Sequence, residues 1–174
     1  HEDSMGNKTV IKTGDVQRMS AGTGLTHSEF NLAETPVHFY QIWIYPDESE
    51  LEPTYDQRSY EPSEWKNTLL PVASGQNLQN VVTFHTDATI YRCDQEAGRK
   101  ITFDHTKERR VFVYVTKGQL SVNGQHIGEA DQARVDVEEP LILAAEQDAE
   151  FILIDVPSCK GWGYSDETLS GGKK

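Results

Sequence analysis

Residues 14–31 of the chain read GDVQRMSAGTGLTHSEFN and form the most informative stretch of the sequence. It places His27 and Glu29 two residues apart, and in a β-strand residues i and i+2 point to the same face. An imidazole nitrogen and a carboxylate oxygen can therefore converge on one cation, and these donors suit iron, manganese, nickel or another divalent ion. Gly22 and Gly24 would let the backbone bend before that strand. A His-x-Glu pair by itself also occurs on ordinary solvated surfaces.

Short runs rich in β-branched and aromatic residues surround this stretch, at a spacing of about ten residues that is typical of an antiparallel sandwich or barrel. Glycine-containing turns separate them and indicate hairpins. The sequence therefore predicts an all-β fold. The runs are TVI (9–11), HFYQIWIY (38–45), VVTFH (81–85), ATIYRC (88–93), RVFVYVT (110–116), LSVNG (120–124), ARVDV (133–137), LILAA (141–145) and EFILIDV (150–156). The turns are SMGN (4–7), KTGD (12–15), TKGQ (116–119) and VNGQ (122–125).

A polar segment rich in proline, residues 46–80, predicts a connection between two β-units. It contains the one predicted helix, EPSEWKNTLL at 61–70, with Pro62 in its first turn. The expected organisation is a first unit at 1–45, the connection at 46–80, a second unit at 81–157 and a tail at 158–174.

Charge and composition exclude several classes of protein. The chain has 28 acidic and 16 basic residues and a net charge of −12, which argues against direct nucleic-acid binding. It contains neither a long apolar run nor a start typical of a signal peptide, so we expect no membrane span and a cytoplasmic location. Cys93 and Cys159 lack CxxC spacing, and we interpret both as reduced structural thiols.

The stretch at 14–31 resembles the second cupin motif, GxxxxxPxGxxHxxxN, through Gly14, Gly22, His27 and Asn31. It departs from that motif by Ser20 at the proline position and by two additional residues before His27. These departures match the pirin family, and the resemblance covers residues 1 to about 157. It implies a double-stranded β-helix bicupin whose first barrel is incomplete here and whose second barrel is complete. The other blocks that resemble pirins are HEDSMGN (1–7), HFYQIWIYP (38–46) and YDQRSY (55–60).

The pirin resemblance implies a metal held by an HxH pair, a later histidine and a glutamate two residues after it. By position the last two ligands are His27 and Glu29. The HxH pair has no counterpart, so we expect that an upstream segment is missing and that the site is weak or empty in this chain alone. His1 matches a position after the pair, and we interpret it as a hairpin residue. His38 is interpreted as a packed or sheet-edge histidine.

The second unit matches the first cupin motif, GxxxxxHxHxxxxExxxxxxG, at its two glycine positions, Gly98 and Gly118. The three ligand positions of that motif are then Asp104, Thr106 and Val111. The fold signature thus survives without the ligand set, and we expect no metal in this barrel. His105 and His126 are interpreted as surface residues.

Three functions stay open at this point. Some bacterial pirins resemble quercetin 2,3-dioxygenases, which implies ring opening of a flavonol with O2 by the full-length parent. One divalent transition metal, iron first and Mn, Ni, Co, Cu or Zn as alternatives, would then act with Glu29 as ligand or as general base toward the 3-hydroxyl. Eukaryotic pirins resemble iron-dependent transcription cofactors, which implies a protein partner. The third alternative is an inactive fragment with exposed sheet edges.

Overall fold

The computed structural model describes residues 1–104, 106, 108–136 and 140–158, and almost every regular element in them is a β-strand. Valine, isoleucine and aromatic residues alternate with polar ones along the longer strands, as expected for sheets with one buried face. The strands are β1 Glu2–Asp3, β2 Val16–Ser20, β3 His27–Ser28, β4 Thr54–Arg58, β5 Leu70–Ser74, β6 Val82–Thr83, β7 Thr89–Gln95, β8 Lys100–Phe103, β9 Arg109–Val122, β10 Gln125–Gly128, β11 Gln132–Asp136, β12 Leu141–Ala144 and β13 Ala149–Pro157.

Two small antiparallel pairs form the first part of the chain, β1 with β3 and β2 with β4. The larger sheet has nine strands, in the order β6-β5-β7-β13-β9-β12-β8, with β10 and β11 also paired to β9. Strand β4 and strand β5 both fall within residues 46–80, so that segment contributes to both sheet systems. The prediction of an all-β fold is confirmed.

The core of the larger sheet is apolar and almost solvent-free. Along β13, Ala149, Phe151 and Leu153 are buried at every second position, which is the period of a strand with one inward face. Cys93 lies opposite Phe151 and is 2% exposed. Burial raises the pKa of the Cys93 thiol to about 12, so it is a neutral core side chain. Val111, at a cupin ligand position, is 0% exposed in the same core.

A second cluster joins the first part of the chain to the larger sheet. The guanidinium of Arg92 lies 3.7 Å above the ring of Trp65 and donates to the carbonyl of Gly14 at 3.1 Å. The hydroxyl of Tyr60 donates to the carbonyl of Val72 at 2.9 Å. These contacts fix β2 and its turn against the larger sheet.

Two of the predicted strands are wrong. Residues 38–45 pair with no strand in the described part of the chain, and Trp43 and Tyr45 are 84% and 91% exposed. His38 is likewise exposed, outside any strand, with its ring 4.9 Å from that of Tyr40. A strand is stable when a neighbour takes its backbone hydrogen bonds, and none does so here. TVI at 9–11 also forms no strand, and only the preceding Lys8 makes an isolated bridge.

The predicted hairpin at 116–119 is also wrong, because β9 continues through it. Gly118 has a φ of +77°, and a Cβ there would lie 2.0 Å from the carbonyl oxygen of Asp148. The glycine bends one long strand opposite a register shift between Glu150 and Phe151. The turn at 122–125 is confirmed, with Asn123 and Gly124 both at positive φ.

The helix predicted at 61–70 is confined to a 3-10 turn, Pro62–Glu64. Its first turn is as expected, with Pro62 following the cap residue Glu61. The helix stops because the next residues bond to β7: the amide of Asn67 donates to the carbonyl of Asp94 at 2.7 Å. Among the described residues no helix is long and apolar enough to cross a membrane.

Candidate metal centre

Three side chains converge at the β1–β3 pair: His1, His27 and Glu29. One ligand atom from each lies within 4.8 Å of the others. Strand pairing sets Glu2 opposite Ser28 and Asp3 opposite His27. Extending that register by one residue brings His1 opposite Glu29, so the convergence follows from the sheet. The same-face prediction for His27 and Glu29 agrees with this geometry.

His1 is a donor that the sequence interpretation left out. Its side chain is 0% exposed, its Nε2 lies 3.1 Å from Asp3 Oδ2, and its ring stacks on Tyr55 at 4.6 Å. Its Nδ1 is buried without a hydrogen-bond partner among the described residues and lies 3.8 Å from Glu29 Oε1. The signal in the sequence was the His-x-Asp spacing at 1–3, which repeats the i, i+2 pattern of His27 and Glu29.

Asp3 orients the His1 ring. Burial opposes its charge, but hydrogen bonds from Asn7, Met5 and Gly6 outweigh this and lower the pKa of Asp3. An ionised carboxylate on one imidazole nitrogen fixes the ring and leaves the other nitrogen to face a metal. The Asp3–His1 arrangement is therefore typical of a ligating histidine.

Glu29 is held from behind by polar side chains of β2 and β4. Its Oε1 accepts a hydrogen bond from Gln17 Nε2. The hydroxyl of Tyr55 lies 3.2 Å from Gln17 Oε1 and 2.8 Å from Thr9 Oγ1. Burial raises the pKa of Tyr55, and the neighbouring Glu29 adds to the shift. Tyr55 is therefore a neutral phenol at ordinary pH and keeps its proton for donation.

This donor set fits a divalent transition metal. Two imidazoles and one carboxylate form the combination that non-haem iron oxygenases use, with positions left open for other ligands. A cation would also satisfy the unpartnered Nδ1 of His1, which otherwise represents a buried polar group without compensation. His27 is exposed, so the cluster is accessible from solvent.

The remaining sites considered from the sequence do not join this cluster. His126 is a surface residue, as predicted, 3.8 Å from Glu146. Asp104 and Thr106 are exposed, while His105, Cys159 and the predicted tail from 159 onward lie outside the described residues. Two surface depressions, one beside His85 and one beside Arg109, lie apart from the three donors, so donor chemistry rather than surface shape identifies the centre.

Comparisons with known proteins agree with the fold and the site. The pirin family model matches residues 1–44, and the model of the quercetinase C-terminal cupin domain matches residues 71–156. The chain is thus a protein with cupin architecture in both of its parts. It belongs to the pirin family.

The relatives of this chain include proteins with named activities. It is 36% identical over 159 residues to the quercetin 2,3-dioxygenase of Escherichia coli K12. The aligned residues cover 90% of this chain and 67% of that protein. It is 31% identical over 156 residues to a pirin-like protein of Caulobacter vibrioides, covering 89% of this chain and 67% of the relative. The chain therefore spans about two thirds of the length of these relatives.

The solved structures give the same result. The crystal structure of YhhW from Escherichia coli has a TM-score of 0.83 at 34% identity, over 90% of this chain and 66% of that one. The structure of the same bacterial pirin in complex with nickel(II) has a TM-score of 0.82.

Proposed function

We propose that this chain carries the metal centre of a quercetinase-type pirin, which opens the ring of a flavonol with O2. The observation that carries the proposal is the convergence of His1, His27 and Glu29, with the buried Nδ1 of His1 left without a partner. The names of the relatives and the nickel complex of the Escherichia coli pirin support a divalent metal and a flavonol substrate. Iron is the metal we expect first.

The metal, when bound, supplies Lewis-acid and redox chemistry toward the two substrates. His1 and His27 would hold it through imidazole nitrogens. Glu29 is the candidate catalytic residue. Its Oε1 accepts from Gln17 and lies 3.8 Å from His1 Nδ1, so this carboxylate is placed to bind the cation or to take the proton of the flavonol 3-hydroxyl. The exposed face at His27 is where an aromatic substrate would enter.

The test is flavonol consumption by metal-free chain reloaded with Fe(II), Mn(II), Ni(II), Co(II), Cu(II) or Zn(II), each alone, in air and without oxygen. We expect loss of flavonol that requires both metal and O2. His27→Ala and Glu29→Gln should abolish it and lower the bound metal measured by elemental analysis. His38→Ala is the matched control, because this histidine is exposed and lies in no strand. Oxygen-dependent turnover that is equal in all four proteins would contradict the proposal.

A second candidate is a partner-binding protein, as eukaryotic pirins are in the family resemblance. The observation in its favour is the exposed apolar surface between 30 and 45, where Phe30, Leu32 and Trp43 are 68%, 95% and 84% exposed. The net charge of −12 would suit a basic protein partner. Capture of a basic partner that is unaffected by His27→Ala, in a chain without flavonol turnover, would favour this role over the enzyme.

A further inference from the structure

Two side chains behind Glu29 form a directed chain of hydrogen bonds that ends on its carboxylate. In the β2–β4 pair Gln17 lies directly opposite Gln57, and Tyr55 is two residues from Gln57, so the three share one face. Gln17 Nε2 donates to Glu29 Oε1. The Tyr55 hydroxyl points to both glutamine carbonyls, at 3.2 Å from Gln17 Oε1 and 2.7 Å from Gln57 Oε1.

The carboxylate of Glu29 determines which way the amide of Gln17 faces. A glutamine amide has one accepting end and one donating end, whereas a carboxylate only accepts. The NH2 end of Gln17 therefore faces Glu29, and its carbonyl end faces the Tyr55 hydroxyl. The opposite orientation would place the carbonyl oxygen of Gln17 against a carboxylate oxygen, with no proton between them. The single proton of Tyr55 lies between the carbonyl oxygens of Gln17 and Gln57.

We propose that Gln17 and Tyr55 are positioning residues that orient Glu29 and His1 toward a shared metal ion. Gln17 donates to Oε1 of Glu29, the carboxylate oxygen that lies 3.8 Å from the unpartnered Nδ1 of His1, and so holds the carboxylate beside that nitrogen. Tyr55 also stacks on His1 at 4.6 Å between ring centroids, so the same phenol supports two of the three donors. This inference rests on the proposed metal centre and assigns the hydrogen bonds that orient its carboxylate.

Cobalt(II), added alone to the metal-free full chain, tests the inference without any turnover. Gln17→Met keeps the length of the side chain and removes the donor, and Tyr55→Phe removes one oxygen. We expect each variant to bind Co(II) about 10–100-fold more weakly, which is the range for groups that orient a ligand. Their visible cobalt absorption should also change, because a carboxylate that Gln17 no longer holds takes a different position against the cation.

Gln57→Met is the matched control, since Gln57 has the same residue type and contacts Tyr55 but not Glu29. It should keep the wild-type affinity and cobalt spectrum. Thermal unfolding of each metal-free variant shows whether it is folded. If Gln17→Met does not fold, the cobalt affinity and spectrum of Tyr55→Phe test the inference.

The outcomes separate this inference from the proposed function. If His27→Ala loses cobalt while Gln17→Met and Tyr55→Phe bind it with wild-type affinity and spectrum, the positioning role is overturned and the metal centre stands. If Gln57→Met weakens cobalt binding as much as Gln17→Met, the effect belongs to the sheet and the positioning role is overturned. If His27→Ala binds cobalt like the wild type, both proposals fall.

Discussion

Replacement of Arg109 by methionine is predicted to destabilise the larger sheet strongly. Arg109 Nε donates to Asp155 Oδ2 at 2.8 Å, and its Nη1 reaches the carboxylate of Asp87 at 2.9 Å. The side chains of Arg109 and Asp155 are 15% and 8% exposed, whereas that of Asp87 is 54% exposed. The buried pair with Asp155 therefore dominates the effect.

The magnitude follows from leaving Asp155 without its cation. Breaking a buried pair by removing one partner costs about 3–5 kcal/mol, because the remaining charge stays desolvated. Asp155 Oδ1 has no hydrogen-bond partner among the described residues, so no second donor compensates. For a chain of 174 residues we expect the melting temperature to fall by about 6–20 °C. Thermal and urea unfolding followed by circular dichroism measure this.

The next residue provides the control. Arg110 makes the corresponding hydrogen bond to Asp136, but the two side chains are 45% and 68% exposed, so Arg110→Met should cost at most about 1 kcal/mol. The double variant Arg109→Met with Asp155→Asn also removes the buried, unpaired carboxylate of Asp155. Compared with Arg109→Met alone, it should recover about 1–3 kcal/mol of the free energy of unfolding. Equal losses for Arg109→Met and Arg110→Met, or no recovery in the double variant, would refute the reasoning.

Three further predictions concern a thiol, a glycine and the metal. In a Cys159→Ser background Cys93 should resist thiol reagents in the folded protein and react after unfolding. Because burial raises the pKa of Cys93 from 9.0 to about 12, the unfolded chain ionises first, and the free energy of unfolding should fall as the pH rises from 9 towards 12. Gly22→Ala should destabilise the protein more than Gly24→Ala, because a Cβ at Gly22 would lie 2.0 Å from the carbonyl oxygen of Leu51 and a Cβ at Gly24 would meet open space. Gly24→Ala then costs only the backbone strain of an alanine at positive φ, about 1–3 kcal/mol. Chemical denaturation compares the two variants. Metal at 100 times its dissociation constant should raise the free energy of unfolding by about 2.7 kcal/mol, an increment that a chelator or His27→Ala should remove in a thermal melt.

Several local features could be predicted because they depend on neighbours along the chain. Gly22 and Gly24 were expected to bend the backbone before the strand that carries His27, and both have positive φ. The turn at Asn123 and Gly124 follows from the left-handed conformations that a two-residue hairpin requires.

The wrong predictions concern features that depend on residues distant along the chain. The run at 38–45 has strand composition, but composition does not supply a neighbouring strand, and these residues stay unpaired. Gly118 carries a turn signal, yet the sheet uses its positive φ to bend β9 rather than to reverse it. A glycine in the sequence indicates a local backbone conformation. Whether that conformation produces a turn between two strands or a bend within one strand depends on the neighbouring strands.

The all-β class, the pirin resemblance and the shared face of His27 and Glu29 could be inferred from the amino-acid sequence, because strand periodicity acts over two or three residues. The position of His1 beside these two residues, and of Gln17 and Tyr55 behind Glu29, depends on the tertiary structure. His1 and Glu29 are 28 positions apart, and Gln17 and Tyr55 are 38 apart. Such residues meet through strand register, which is set by the packing of the whole sheet and not by the residues alone.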